Sequence, residues 1–245
     1  MSFRVRKTPG LAWGAGGCAA LLVAVFLSGP VLAQAVKSKG KSVGGAVPIV
    51  AAPAPRTGDP VAGARKSDDE RCQECHGVDG HGFDQSASSE GRHPKLGGLP
   101  ADYIVKQIAD FRSGARKHDV MTVMARTVDP ADIVDIAAYF SSQKPMKGDG
   151  KGDNPVGRAL FEKGDPARGV AACVSCHGPA GKGIAALGAA SPPIGGQEWR
   201  YLEKQLLDWR SGDRGNSTDG VMNRIAKSLS DEEVKALADY LAGQL

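Results

Sequence analysis

The chain repeats itself. CQECHG from Cys72 returns as CVSCHG from Cys173, PKLGG from Pro94 as PPIGG from Pro192, YIVKQIADFRSG from Tyr103 as YLEKQLLDWRSG from Tyr201, and VDPADIVDIAAYF from Val128 as LSDEEVKALADYL from Leu229. The offset is 101 residues at the cysteines, 98 in the middle and 101 at the end, so the loops slip by three residues and recover. Such a chain holds two copies of one small unit, and each copy must find a core of its own.

Both copies read as helical. Ile104, Ile108 and Phe111 recur at spacings of four and three, as do Leu202, Leu206 and Trp209, giving one apolar stripe each. The last segments open with strong start signals: Asp129 with Pro130 in the first copy, and Ser230 followed by Glu233 in the second. Strand-like alternation is scarce and the loops are rich in glycine. The expectation is an all-α chain of two domains, 67–144 and 158–245, joined by the Gly- and Pro-rich linker 145–157.

Ahead of the repeats stands MSFRVRKTPG, cationic and free of acids, then the apolar run Ala19 to Gly29 and small residues at Ala33 and Ala35. This is the pattern of a secretory signal peptide, assigned to 1–33 with Cys18 discarded in it. The run is too short to span a bilayer comfortably, and an uncleaved leader would act as an N-terminal tether with loose membrane association. Residues 34–66, rich in Ala, Pro, Gly and Lys, read as a flexible linker. The formal charge of +4 comes from these N-terminal segments, and no basic stripe with interleaved aromatics tracks a phosphate backbone, so nucleic-acid binding is excluded.

Export makes disulfides the first thought for the four remaining cysteines, but their spacing points elsewhere. Cys72, Cys75 and His76, and Cys173, Cys176 and His177, each form the c-type haem attachment pattern. Two thiols a helical turn apart can add to the two vinyl groups of one haem edge, and the adjacent histidine then places its imidazole under the iron. The dithiol redox alternative needs a βαβ setting that the pattern lacks. A structural zinc needs a fourth ligand, and His177 is the second domain's only histidine. Two covalently bound haem c groups are therefore expected. A fixed porphyrin also gives a small domain the apolar surface that 5% aromatic residues do not.

The sixth iron ligand follows from the repeat. Met222 is the only methionine of the second domain and lies 45 residues after His177; the same separation from His76 selects Met121. Met124 corresponds to Ile225 and reads as a core or haem-edge residue. His81, His93 and His118 have no counterparts in the second domain and read as surface or loop residues, and Met146 falls in the linker with no ligand role.

Together, the paired CxxCHG motifs, PKLGG and PPIGG, the KQ-x-x-D-[FW]-RSG helices and Met121 and Met222 resemble the tandem two-haem cytochromes c of the cytochrome c4 type. These are two class I cytochrome c domains joined by a linker. The resemblance covers about residue 66 to the C-terminus. It implies a periplasmic electron carrier with its two haems close together across a pseudo-twofold axis. It also implies that the carbonyls of Pro94 and Pro192 accept the Nδ1 hydrogen bonds of His76 and His177. The implied partners are redox proteins: a quinol-oxidising complex or dehydrogenase as donor, and a terminal oxidase or reductase as acceptor. A cytochrome subunit of a flavin-type or alcohol dehydrogenase complex is the alternative, and a di-haem peroxidase would require an open iron position that Met121 and Met222 deny.

Two features depart from the family pattern or stay open at this level. GRALFEKG from Gly157 supplies the family's opening helix in the second domain, with Phe161 to pack on the last helix. VAGARKSDDER stands in its place in the first, without an aromatic, and a short or frayed helix is expected there. Arg112 and Arg210 of the repeated RSG suit haem propionates or, equally, the negative end of a helix. Tyr103, Tyr201, Trp199 and Trp209 read as packing residues.

Overall fold

A computed structural model describes residues 57–82 and 93–245; the leader expected over 1–33 and most of the linker expected over 34–66 lie outside the described residues. The first repeat forms α1 (Pro60–Asp69), α2 (Gln73–His76), α3 (Ala101–Ser113), α4 (Met121–Thr127) and α5 (Pro130–Ser142). The second forms α6 (Pro155–Lys163), α7 (Val174–His177), α8 (Trp199–Ser211), α9 (Val221–Lys227) and α10 (Asp231–Ala242). Among the described residues the regular structure is helical apart from a bridge between Asp165 and Val170, and no helix is long and apolar enough to cross a membrane.

Local chemistry sets the helix ends. The Asp129 carboxylate accepts from the Ala131 N–H at 2.8 Å with Pro130 at the first position of α5, and Ser230 and Glu233 form a reciprocal capping box on α10. The RSG helices α3 and α8 stop at Gly114 and Gly212, which take φ of 82° and 92°, a left-handed geometry that costs glycine nothing.

In each domain the first and last helices cross at a glycine. A Cβ on Gly63 would lie 1.9 Å from the Asp135 carbonyl oxygen, and one on Gly157 2.0 Å from that of Ala236, so each crossing closes backbone to backbone. Beneath these crossings lie two separate cores. Ile133, Ile136, Ala137 and Phe140 of α5 pack with Leu99 and Ile104, whereas Val234, Leu237, Ala238 and Leu241 of α10 pack with Leu160, Phe161 and Leu202. Phe161 is fully buried and stacks at a tilt on Tyr240, 5.5 Å between centroids.

The weak opening helix expected in the first domain is not what forms. α1 has ten residues against nine in α6, and it begins at Pro60, inside the stretch whose composition reads as linker. Asp59 caps it, accepting from the Val61 N–H at 2.8 Å and the Ala62 N–H at 3.2 Å. The missing aromatic is replaced by charge: the buried Asp135 carboxylate accepts from the Asp59 backbone N–H at 2.9 Å, and Lys66 reaches both Asp135 at 2.5 Å and Asp132 at 2.6 Å. The segment between the domains is also packed. Met146 is buried in the first core, and the N–H groups of Gly148 and Gly150 donate to the carbonyls of Gln244 and Gly243.

Candidate haem-binding sites

Each Cys-x-x-Cys-His motif winds into one turn of helix. The His76 N–H donates to the Cys72 carbonyl at 3.1 Å and the His177 N–H to the Cys173 carbonyl at 2.9 Å, so both thiols and the imidazole project from a single turn. A glycine then reverses the chain: Gly77 has φ 78° and Gly178 φ 71°. The Gly82 N–H closes back on the His76 carbonyl at 2.8 Å and the Gly183 N–H on the His177 carbonyl at 2.6 Å.

The Gly-Gly pairs of PKLGG and PPIGG explain themselves here. The Gly97 N–H donates to the Gly80 carbonyl at 3.0 Å, as Gly195 does to Gly181 at 2.9 Å, and a Cβ on Gly80 would stand 2.7 Å from the Gly97 nitrogen. This close approach delivers the preceding proline. The carbonyl oxygen of Pro94 lies 2.8 Å from His76 Nδ1, and that of Pro192 lies 2.9 Å from His177 Nδ1. A carbonyl can only accept, so Nδ1 carries the proton and Nε2 keeps its lone pair, the tautomer an iron requires.

The electrostatics agree with that assignment. Burial, opposed by the Pro94 hydrogen bond, pushes His76 down to about 4, and burial likewise lowers His177, so both imidazoles are neutral at neutral pH. Burial pushes the Cys72 and Cys173 thiols up to about 11, the opposite of the activated thiolate of a dithiol oxidoreductase. Among the described residues no group of three or more His, Cys, Asp or Glu side chains is arranged to hold a metal ion.

Met121 opens α4 and Met222 is the second residue of α9, both half-buried. The Met121 N–H donates to His118 Nδ1 at 3.2 Å, and the Met222 N–H to Ser217 Oγ at 3.3 Å. His118 and His93 are loop residues, as read from the sequence, but they lie beside the site: the His93 ring is 6.3 Å from that of His76, and its buried Nδ1 lacks a hydrogen-bond partner. His81 is held away, Nε2 at 3.0 Å from the Lys144 carbonyl. A c-type haem fits this set of groups: paired thiols, a neutral imidazole fixed by its far nitrogen, and an orphaned polar atom beside it.

Arg112 and Arg210 resolve toward helix ends. Arg112 Nη1 donates to the carbonyls of Ala125 and Val128, both at 2.6 Å, and Arg210 donates to the Leu229 carbonyl at 3.0 Å and to Asp231. They tie α3 to the end of α4 and α8 to the end of α9. The arginines overlooked in the sequence are Arg116 and Arg214, both buried at the junction of the domains, where Arg116 donates to the half-buried Tyr201 hydroxyl and Arg214 to that of Tyr103.

The cytochrome c family model matches residues 60–144 and again 156–244. The chain belongs to the cytochrome c family. It is 39% identical over 188 residues to cytochrome c4 of Pseudomonas aeruginosa, covering 76% of this chain and 89% of that one. It is 37% identical over 175 residues to a thiosulfate dehydrogenase electron acceptor of Stutzerimonas stutzeri, covering 70% and 77%. Among solved structures, reduced recombinant cytochrome c4 from Pseudomonas stutzeri superposes with a TM-score of 0.68 at 36% identity, covering 77% of this chain and all of that one. Thiosulfate dehydrogenase TsdBA of Marichromatium purpuratum gives 0.65 at 36%, covering 75% of this chain and 40% of that one. The chain is thus a cytochrome c of the cytochrome c4 type, with two tandem all-α domains and two covalently bound haem c groups, and it is an electron-transfer protein.

Proposed function

We propose that this cytochrome is a periplasmic electron carrier and not an enzyme, with His76 and Met121 as the axial pair of the first haem and His177 and Met222 as that of the second. Cys72 and Cys75, and Cys173 and Cys176, form the thioethers, and the carbonyls of Pro94 and Pro192 orient the imidazoles. The observation that carries this reading is the duplicated cradle, in which each histidine gives Nδ1 to a proline carbonyl at 2.8 or 2.9 Å.

When bound, haem c supplies a one-electron iron couple. The protein's part is to hold it closed: a histidine fixed in one tautomer on one side and a thioether, which has no proton to lose near neutral pH, on the other. No position is then left for a substrate. The donor is a quinol-oxidising complex or dehydrogenase and the acceptor a terminal oxidase or reductase. The first domain has 9 basic and 13 acidic residues over 67–144, the second 11 of each over 158–245, so donor and acceptor favour different domains.

The similarity to thiosulfate dehydrogenase electron acceptors favours one second reading, a cytochrome that serves a dehydrogenase directly. Mixing the reduced protein with a membrane terminal oxidase, and the oxidised protein with a thiosulfate dehydrogenase, in a stopped-flow instrument tests both. Two electrons delivered per chain, with rates that fall as salt rises, is the expected result. Rapid turnover of hydrogen peroxide against an electron donor would overturn the carrier reading.

A further inference from the structure

The first domain carries an imidazole beside its methionine that the second domain lacks. His118 stands three residues before Met121, and the matching place in the second domain, 101 residues on, is Asp219. His118 Nδ1 accepts the Met121 N–H at 3.2 Å, and the His118 backbone N–H donates to Thr122 Oγ1 at 2.9 Å. The start of α4 is thus capped reciprocally by a histidine, in the manner of a capping box. An imidazole nitrogen that accepts a hydrogen bond carries a lone pair in the ring plane, and such a lone pair is what an iron binds.

The two methionine helices are also anchored differently. In the second domain Asn223, beside Met222, donates to the Trp209 carbonyl at 2.7 Å and the Arg214 carbonyl at 2.8 Å, which ties the start of α9 to α8 and the turn after it. Thr122 holds the corresponding place in the first domain and bonds within its own turn. Residues 117–120 are all exposed, and Arg112 holds α4 at its other end, through the Ala125 and Val128 carbonyls. The turn that delivers Met121 can therefore shift without opening the core beneath it.

Among the described histidines, His118 alone belongs to that turn. His81 is held by the Lys144 carbonyl at 3.0 Å. His93 sits on the side already taken by His76: it directly precedes Pro94, whose carbonyl holds His76 Nδ1, and its ring meets that of His76 edge-on at 6.3 Å. His118 approaches from the methionine side and is still close enough to act on the site, since His76, lowered chiefly by burial, is pushed further by His93 and then by His118.

Resting on the two-haem reading above, we propose that His118 is a reserve sixth ligand of the first haem, taking the position when the Met121 sulfur leaves it. One bond to iron breaks, from the thioether, and one forms, from the imidazole lone pair that had accepted the Met121 N–H. That N–H passes to water, and no electron or proton changes hands. A single lone pair cannot serve both, so the bond to the Met121 N–H keeps the imidazole in waiting while the methionine is in place. In either state the first domain keeps its haem closed to small ligands such as peroxide, at a lower potential with two imidazoles than with histidine and methionine. The second domain, with His177 as its only histidine, has no such reserve and opens when Met222 leaves.

The test is the oxidised near-infrared and electron paramagnetic resonance spectra of the full two-haem protein with Met121→Ala, with Met222→Ala, and with Met121→Ala and His118→Ala together. Met121→Ala is expected to lose half of the methionine-to-iron band and to gain a low-spin bis-imidazole signal in its place. Met222→Ala and the double variant are expected to lose the same half and to show a high-spin signal instead. A high-spin signal in Met121→Ala would overturn the proposal. So would a bis-imidazole signal that survives in the double variant, which would make His93 the ligand, or an undiminished methionine band in Met121→Ala, which would make Met124 the ligand. Urea added below the unfolding transition reads the same exchange without touching Met121, should that variant fail to fold. Half of the band is expected to give way to the bis-imidazole signal in wild type and to high spin in His118→Ala, and identical courses in the two would overturn the proposal. A haem count and the band of untreated wild type separate the failures: fewer than two haems, or less than two-site intensity, sinks the histidine and methionine reading itself, whereas two full sites with no bis-imidazole signal in any sample sink the reserve ligand alone.

Discussion

The two helix crossings invite the same substitution with different expected costs. In Gly63→Ala the new methyl stands 1.9 Å from the Asp135 carbonyl oxygen and 2.9 Å from Tyr139 Cβ; in Gly157→Ala it stands 2.0 Å from the Ala236 oxygen and 2.9 Å from Tyr240 Cβ. Ordinary contact begins at 3.4 Å, so in both domains the helices must part by about 1.5 Å. Overpacking of this kind costs about 1–3 kcal/mol. Alanine returns about 1 kcal/mol as the better helix former, leaving Gly157→Ala at roughly 0–2 kcal/mol. The first domain loses more, because parting α1 from α5 also pulls the Asp59 N–H off the buried Asp135 carboxylate. A hydrogen bond to a charged group contributes about 1.5–3 kcal/mol, so Gly63→Ala is expected to cost roughly 2–5 kcal/mol. Native-state hydrogen exchange read by mass spectrometry separates the crossings, since amides of α1 and α5 report one and those of α6 and α10 the other. Equal losses of protection, or a larger loss at Gly157→Ala, would refute the idea that charge replaces the missing aromatic in the first domain.

Three further outcomes follow from named contacts. Met222→Ala removes the second domain's only methionine, and His177 is its only histidine, so half of the near-infrared methionine-to-iron band is expected to vanish with no substitute ligand. Arg112→Ala frees the end of α4 from two charge-assisted bonds and is expected to cost about 1.5–3 kcal/mol and to make the first haem's band easier to abolish with added imidazole. Arg168 bridges Asp165 and Glu233 and holds both carboxyls below their ordinary values, chiefly by its hydrogen bonds. Their contribution to stability is therefore complete above the unfolded carboxylate values of about 4 and is lost as pH falls through the lower folded values. Arg168→Ala is expected to lower thermal stability at pH 7 and to converge on wild type in acid; a difference that persists below pH 2 to 3 would contradict this.

What could be read in advance followed from duplication. Cys72, Cys75, His76 and their partners at an offset of 101 announce themselves because one spacing occurs twice, and the 45-residue interval singles out Met121 from Met124 in the same way. The α1 lock escaped because its parts lie apart in the chain: Gly63, Lys66 and Asp59 meet Asp132 and Asp135 only after folding, and none has the periodicity of an apolar stripe. Pro60 and its neighbours look like linker because Pro, Gly and Ala serve loops and close helix crossings alike. Met146 escaped for a related reason, since Pro and Gly around it hide a buried side chain. The junction did leave a signal. Tyr103, Gln107 and Arg116 return as Tyr201, Gln205 and Arg214 at one offset of 98, a polar set repeated in register beside an apolar stripe, and repetition of that kind points to a shared contact surface.

The central claim is that each domain closes its haem between a histidine and a methionine. The most direct measurement is a pyridine haemochrome count on the purified protein, paired with the oxidised near-infrared spectrum. Two haems per chain and a methionine-to-iron band at full two-site intensity is the result this account predicts. One haem, or a band at half intensity, would contradict it and would place an open or differently ligated iron in one of the two domains.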